Sequence, residues 1–185
     1  MAEAKRLVIF GDSIAKGVMF QDGRYHLCRA HDFDALAQQG VEVRNFAKMG
    51  ACTDTGLAIA KKRLESCRDA QVLLFFGGND CDFDWQAVSD HPDGVHLPKI
   101  PAEQFLENYR ALMDLVRQTA SRVWISSLVP LEAHRFLDHV SQGRSRENIL
   151  TWLGDTDHIF RWQEYYNAMV AQLSRAFGCR LVDLR

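Results

Sequence analysis

Cysteine pairs at metal-binding or redox spacing are missing from this sequence. Its five cysteines, Cys28, Cys52, Cys67, Cys81 and Cys179, are odd in number, widely scattered and never arranged C-x-x-C. That pattern excludes a disulfide framework and a zinc ribbon and points to free thiols in a reducing compartment. An excess of charge of one sign is lacking too: 22 Lys and Arg stand against 24 Asp and Glu, a net charge of -2. Without a basic surplus there is no electrostatic reason to expect nucleic acid or an anionic membrane as a partner. The apolar stretch near the N-terminus, Leu7 to Phe10, is shorter than a signal-peptide core or a membrane span, so a cytoplasmic chain is expected. With only 12 Gly and 4 Pro among 185 residues, and no repeat or low-complexity tract, the composition is that of a globular protein. A chain of this length buries roughly 70% of its unfolded surface, enough for one core, so a single domain over residues 1–185 is expected.

What is present is a series of apolar runs closed by turn residues. Leu7-Val8-Ile9-Phe10, stopped by Gly11-Asp12-Ser13, reads as a buried strand. Val72 to Phe76, stopped by Gly77-Gly78-Asn79-Asp80, is apolar without alternation, as a central strand covered on both faces should be. Val41–Ala47, Val123–Val129 and Arg180–Leu184 are three more strand candidates. Helical periodicity fills the gaps. Leu57, Ala60 and Leu64 repeat within Thr53–Cys67, and Phe105, Tyr109, Leu112 and Val116 mark one face of another helix whose first turn suits Pro101. The longest helix is expected over Asp157–Phe177, with Gly178 as its stop signal. Strands alternating with helices imply an α/β fold with a parallel five-stranded sheet and helices on both faces.

Two segments break the alternation, Cys81–Ile100 and Leu131–Asp155, and each follows the carboxyl end of a strand. Excursions at that edge wall binding crevices, and these two carry Phe83, Trp85, Phe136, Trp152 and four histidines, His91, His96, His134 and His139.

In a parallel sheet the carboxyl ends of all strands open on one edge, so Ser13, Gly50 and Asn79 become candidate neighbours. A serine on a tight turn exposes its hydroxyl, and a helix starting after it would favour developing negative charge. Gly50 allows a backbone N–H to approach a ligand, and Asn79 offers an amide NH₂. One hydroxyl and several neutral donors aimed at one point suit acyl transfer, which needs a nucleophile and an oxyanion pocket. Any one of these short motifs is also an ordinary turn, and the argument rests on their joint occurrence.

Taken together these motifs resemble those of the SGNH hydrolases, also called GDSL-type esterases and lipases, along the whole chain. Gly11-Asp12-Ser13-Ile14 looks like the first block, with Ile where Leu is usual, which implies Ser13 as nucleophile. Asn45 to Gly50 is similar to the second block, so the resemblance assigns Gly50 a backbone oxyanion donor. Gly77-Gly78-Asn79-Asp80 matches the third, in which the Asn side chain completes the oxyanion hole with the nucleophile's own N–H. The implied fold is a flavodoxin-like three-layer α/β/α sandwich. The implied activity is hydrolysis of a small-molecule ester with a short or medium acyl group, without a cofactor. The alcohol half, a sugar, a lipid headgroup or a thiol, stays open. The alternative is a non-catalytic protein that holds a small molecule or carbohydrate in the same crevice.

One block departs from the family. Leu181-Val182-Asp183-Leu184-Arg185 resembles the strand that leads to an Asp-x-x-His pair supplying base and orienting carboxylate, yet no such pair stands at that place. The expectation is therefore a chain truncated at its C-terminus, and 185 residues that by themselves are inactive or nearly so. Asp-x-x-His recurs at Asp93–His96 and Asp155–His158. His96, on the correct edge of the sheet, is the better-placed internal substitute; near His158, Asp155 or Asp157 is more economically a helix cap. Asp80, Asp82 and Asp84 alternate like calcium ligands but lack the downstream Gly and Glu of a calcium loop, so no metal is expected.

Overall fold

The computed structural model describes residues 5–28 and 31–185. The chain runs through β1 (Lys5–Gly11), a hairpin of β2 (Val18–Gln21) and β3 (Arg24–Leu27), α1 (His31–Gln38), β4 (Val41–Asn45) and α2 (Thr53–Arg63), the last extended by a 3-10 turn (Leu64–Cys67). It continues through β5 (Gln71–Phe75), α3 (Trp85–Asp90), α4 (Ala102–Val116), β6 (Arg122–Ser126), α5 (Ala133–Val140), α6 (Arg146–Leu153), α7 (Asp157–Phe177) and β7 (Arg180–Val182).

All five expected strands form one parallel sheet in the order β4-β1-β5-β6-β7. This is the flavodoxin-like order, with the direction of winding reversing beside β1. Right-handed crossovers then put α1 on one face and α2, α4 and α7 on the other, which gives the three-layer α/β/α sandwich. Register shows which side chains hold the layers together. Val8 pairs with Val72 and Val72 with Val123; one pleat on, Phe10 pairs with Leu74 and Leu74 with Ile125. These rows are buried against Tyr109, Leu112, Val116 and Tyr166 of α4 and α7. Each such side chain removed from water contributes about 1.5–3 kcal/mol. The two buried phenols are satisfied by carbonyls, Tyr166 donating to Ile100 at 2.7 Å and Tyr109 to Leu74 at 3.4 Å. On the opposite face Leu7, Leu73 and Trp124 are only half-buried, and the guanidiniums of Arg122 and Arg180 stack on the Trp124 ring at 5.7 and 5.6 Å.

Helix ends follow the sequence signals. Gly178 closes α7 in the left-handed conformation, and the Cys179 N–H returns to the Ser174 carbonyl. Pro101 stands at the cap position of α4, just outside its first turn, where the Phe105 N–H bonds its carbonyl.

One expectation is corrected. No helix starts at Ser13: a tight turn over residues 13–17 leads into the β2–β3 hairpin. Asp22 and Gly23 at its tip both have positive φ, the geometry of a two-residue Asp-Gly turn. The two excursions are partly helical. They carry α3, α5 and α6, which pack with Phe83, Trp85, Leu137, Ile149, Leu153 and Ile159 into a second apolar cluster.

Candidate active site

The first functional turn is fixed by steric limits. A Cβ on Gly11 would stand 2.5 Å from Ala15 Cβ and 2.9 Å from the Phe75 carbonyl oxygen, so only glycine allows the chain to fold back so tightly beside β5. Asp12 follows, buried, and its Oδ1 accepts the Ile14 N–H at 2.8 Å. Burial raises its carboxyl above the usual range, against the pull of the backbone N–H groups of Ile14 and Ala15. The carbonyls of Asp12 and Ser13 accept from Lys16 and Val18, at 3.0 and 2.8 Å, so the turn holds Ser13 by its backbone.

The turns after β4 and β5 are tied to it. The Lys48 N–H donates to the Gly11 carbonyl at 3.0 Å, and Gly50 adopts φ +71, a left-handed conformation that favours glycine. Asn79 Nδ2 donates to the Ala51 carbonyl at 3.2 Å, which uses one of its two N–H bonds and leaves the other. Gly78 lies beside the first turn, where a Cβ would stand 3.7 Å from Asp12 Oδ2.

A cavity of about 220 Å³ opens between these turns and the excursions. Ser13, Gly78 and Asn79 line it on the sheet side; Phe83, Trp85, Leu131, Phe136 and Leu153 line it from the excursions. Gly50 is not among its lining residues, although Ala51 next to it holds Asn79. Three lining residues lie outside the motifs and excursions named from the sequence: Ile159, Trp162 and Gln163 on the first turns of α7. Their amphipathic spacing reads as helix core. The signal that could have found them is position, since a helix beginning at the carboxyl edge presents its first turns to the crevice.

The two internal histidines exchange rank. His96 does not line the cavity; its Nε2 lies 2.8 Å from the His91 carbonyl oxygen and its ring meets Trp152 edge-on. His158 does line it, with its ring stacked on Trp162 at 6.4 Å; its backbone N–H donates to Asp155 Oδ1 at 3.0 Å. The three alternating acids part company. Asp80 is buried and accepts from the Thr53 N–H and hydroxyl, Asp82 binds Trp85 Nε1 and Lys99 Nζ, and Asp84 caps α3. Each has its own structural duty, and no calcium loop results. The thiols near the site are unsuited to attack: burial pushes Cys52 up to about 12 and Cys81 higher still.

A parallel sheet in this order, with a serine turn, a left-handed glycine turn and a Gly-Gly-Asn turn at its carboxyl edge, defines a class of α/β hydrolytic proteins. Residues 9–185 match the GDSL-like lipase/acylhydrolase family, and the chain belongs to it. Its fold is similar to that of a lipase/acylhydrolase from Enterococcus faecalis, with 20% identity, 97% of this chain and 76% of that one covered, and a TM-score of 0.61. It is also similar to an acetylxylan esterase from Geobacillus stearothermophilus, with 16% identity, 99% and 77% covered, and a TM-score of 0.63. A third likeness is to a putative acylhydrolase from Bacteroides fragilis, with 15% identity, 99% and 69% covered, and a TM-score of 0.62. A comparison with curated proteins found no match. Among the described residues no helix is long and apolar enough to cross a membrane.

Proposed function

We propose that residues 1–185 are one domain of a serine ester hydrolase that works through an acyl-enzyme on a small-molecule ester. The observation that carries this reading is that Ser13 and Asn79, from two different strand ends, line the same cavity. In the first step Ser13 Oγ attacks the ester carbonyl carbon and gives its proton to a base. The oxyanion accepts from the Ser13 and Gly50 N–H groups and from the Asn79 N–H that Ala51 leaves free. Collapse expels the alcohol, which takes up the proton, and water then releases the acid by the same route. Each preorganised donor is worth about 10²–10³ in rate. The cavity volume of about 220 Å³ equals roughly seven waters, which suits a short or medium acyl group.

The step needs a base, and among the described residues no imidazole is hydrogen-bonded to Ser13, so these residues alone should be slow. A second reading has one observation in its favour: His158 shares the cavity with Ser13. A reducing, cytoplasmic setting belongs to the proposal and is supported by Cys52, Cys67 and Cys81, all buried and unpaired.

Labelling with a fluorophosphonate followed by mass spectrometry tests the reading. A covalent adduct on Ser13, lost in Ser13→Ala, is expected. No adduct, with a small molecule still bound in the cavity, would instead favour a binding protein.

A further inference from the structure

The edge of the sheet opposite the active site holds a second pocket, of about 310 Å³, between the amino ends of β6 and β7 and the carboxyl ends of α4 and α7. Three arginines line it: Arg117 from the end of α4, Arg122 from the start of β6 and Arg180 from the start of β7. All three are exposed, so a solute can reach them. No carboxylate lines the pocket, and it shares no residue with the cavity around Ser13. Its other polar side chains are committed within the fold, the Ser121 hydroxyl donating to the Ala70 carbonyl at 3.0 Å and the Cys179 thiol to the Ser174 carbonyl at 3.7 Å.

The three guanidiniums are held in place without being neutralised. Arg117 stacks on the Phe177 ring at 5.5 Å, and Arg122 and Arg180 share the ring of Trp124. A ring takes the flat face of a guanidinium and leaves the N–H bonds in its plane free to donate. Among the described residues none of the three pairs with a carboxylate, whereas Arg6, Arg44, Arg68, Arg146, Arg161 and Arg185 all do. The acids of the adjoining pocket, Glu65 and Asp69, both act on Arg68.

This grouping of charge is unfavourable by itself. Arg180 pairs with Trp124 in register, and Arg122 stands two residues back on the same face, so two like charges are diagonal neighbours in the sheet. Arg117 partly answers the carbonyls at the end of α4. Arg122 and Arg180 begin strands and have no helix end to answer.

From this arrangement we infer a second binding site, separate from the catalytic cavity, that takes a small phosphorylated molecule. A phosphate group carries about −1.5 to −2 charges at neutral pH and presents three acceptor oxygens, a better match to several guanidinium forks than a carboxylate. The pocket has the volume of about ten waters, room for a phosphate with a small organic group attached. A long polyanion is disfavoured, because the chain as a whole carries a net charge of -2. The site stands apart from the ester-hydrolase reading and does not depend on it.

Isothermal titration calorimetry of the full chain at about 0.15 M salt, with pyrophosphate, glycerol phosphate and acetate as probes, tests the site. Both phosphates are expected to bind saturably and about tenfold or more tightly than acetate. Arg122→Gln combined with Arg180→Gln should weaken them about tenfold or more. Lys61→Gln combined with Lys62→Gln removes the same charge from the exposed side of α2 and should leave their affinity within about twofold. Circular dichroism verifies the fold of each variant; should the arginine pair fail to fold, Arg117→Gln carries the comparison. The inference is overturned by the absence of saturable binding below about 10 mM, by acetate binding as tightly, or by an equal loss in the lysine variant. Binding to vesicles containing phosphatidate, with no binding of either soluble phosphate, would overturn it as well.

Discussion

Asn79, in the turn after β5, reaches the backbone of the loop after β4, its Nδ2 3.2 Å from the carbonyl oxygen of Ala51. One side chain thus fastens the turn that carries Gly50 and keeps a second N–H for the cavity. Asn79→Ala should therefore lower kcat of the active enzyme by about 10²–10³ while KM changes only a few-fold, since the lost donor acts on charge that develops in the transition state. Steady-state kinetics on a nitrophenyl ester decides it. A rise in KM at constant kcat would make Asn79 a binding residue.

The backbone at Gly11 has no room for a methyl group. Gly11→Ala would push Cβ into Ala15 and against the Phe75 carbonyl, at 2.5 and 2.9 Å, and neither can retreat as a flexible side-chain end would. Destabilisation of about 1–3 kcal/mol is expected, together with weaker labelling of Ser13 as the turn shifts. Urea denaturation with phosphonate labelling of the folded fraction measures both. An unchanged midpoint would show that the turn can relax.

Much of this was legible before any coordinates, and the reasons differ by element. The buried strands announce themselves because an apolar run ending in Gly-Asp or Gly-Gly has few other uses, and the 21-residue α7 offers enough turns for its periodicity to be plain. Helices α3, α5 and α6 have six to eight residues, about two turns each, too short for a period to stand out. Their stability comes from packing on one another. The hairpin carries a good Asp-Gly signal at residues 22 and 23, but Met19, Phe20, Tyr25 and Leu27 are all exposed, so its strands lack the polar face that makes alternation visible. In the site, Ser13 and Asn79 were readable because turns at strand ends share one edge. Gln163 was not, because its place in the amphipathic spacing of α7 reads as helix core.

Asp80 gives a prediction with a definite sign. Burial pushes its carboxyl up to about 6 from the ordinary 3.8, outweighing the hydrogen bonds from Thr53 that pull the other way. The folded state therefore holds this proton more tightly than the unfolded state. Its contribution to stability is complete below about pH 4 and is lost as the pH rises through about 6, a difference of about 3 kcal/mol. Asp80→Asn cannot titrate. The stability of the variant minus that of the wild type, from urea denaturation, should rise by that amount between pH 4 and pH 7, other groups cancelling. A flat difference would mean that the carboxyl is solvated.

His158 separates the two readings of the base. If the base lies outside the 185 residues, their hydrolysis of a nitrophenyl ester should exceed water by only about 10³–10⁴, the residue left to an oxyanion pocket and binding when a triad member is missing. His158→Phe, which keeps an aromatic ring against Trp162, should then change the rate less than threefold. If His158 serves as the base, the unaltered chain should turn over well above that level, and the substitution should cost tenfold or more. Ser13→Ala supplies the floor in both cases, because it removes the nucleophile whichever imidazole activates it. The first pattern is expected: Asp155 accepts from the backbone N–H of His158 and pairs with Arg161 at 2.7 Å, so its carboxylate caps the helix start, and among the described residues no carboxylate is hydrogen-bonded to the imidazole to orient it as a base.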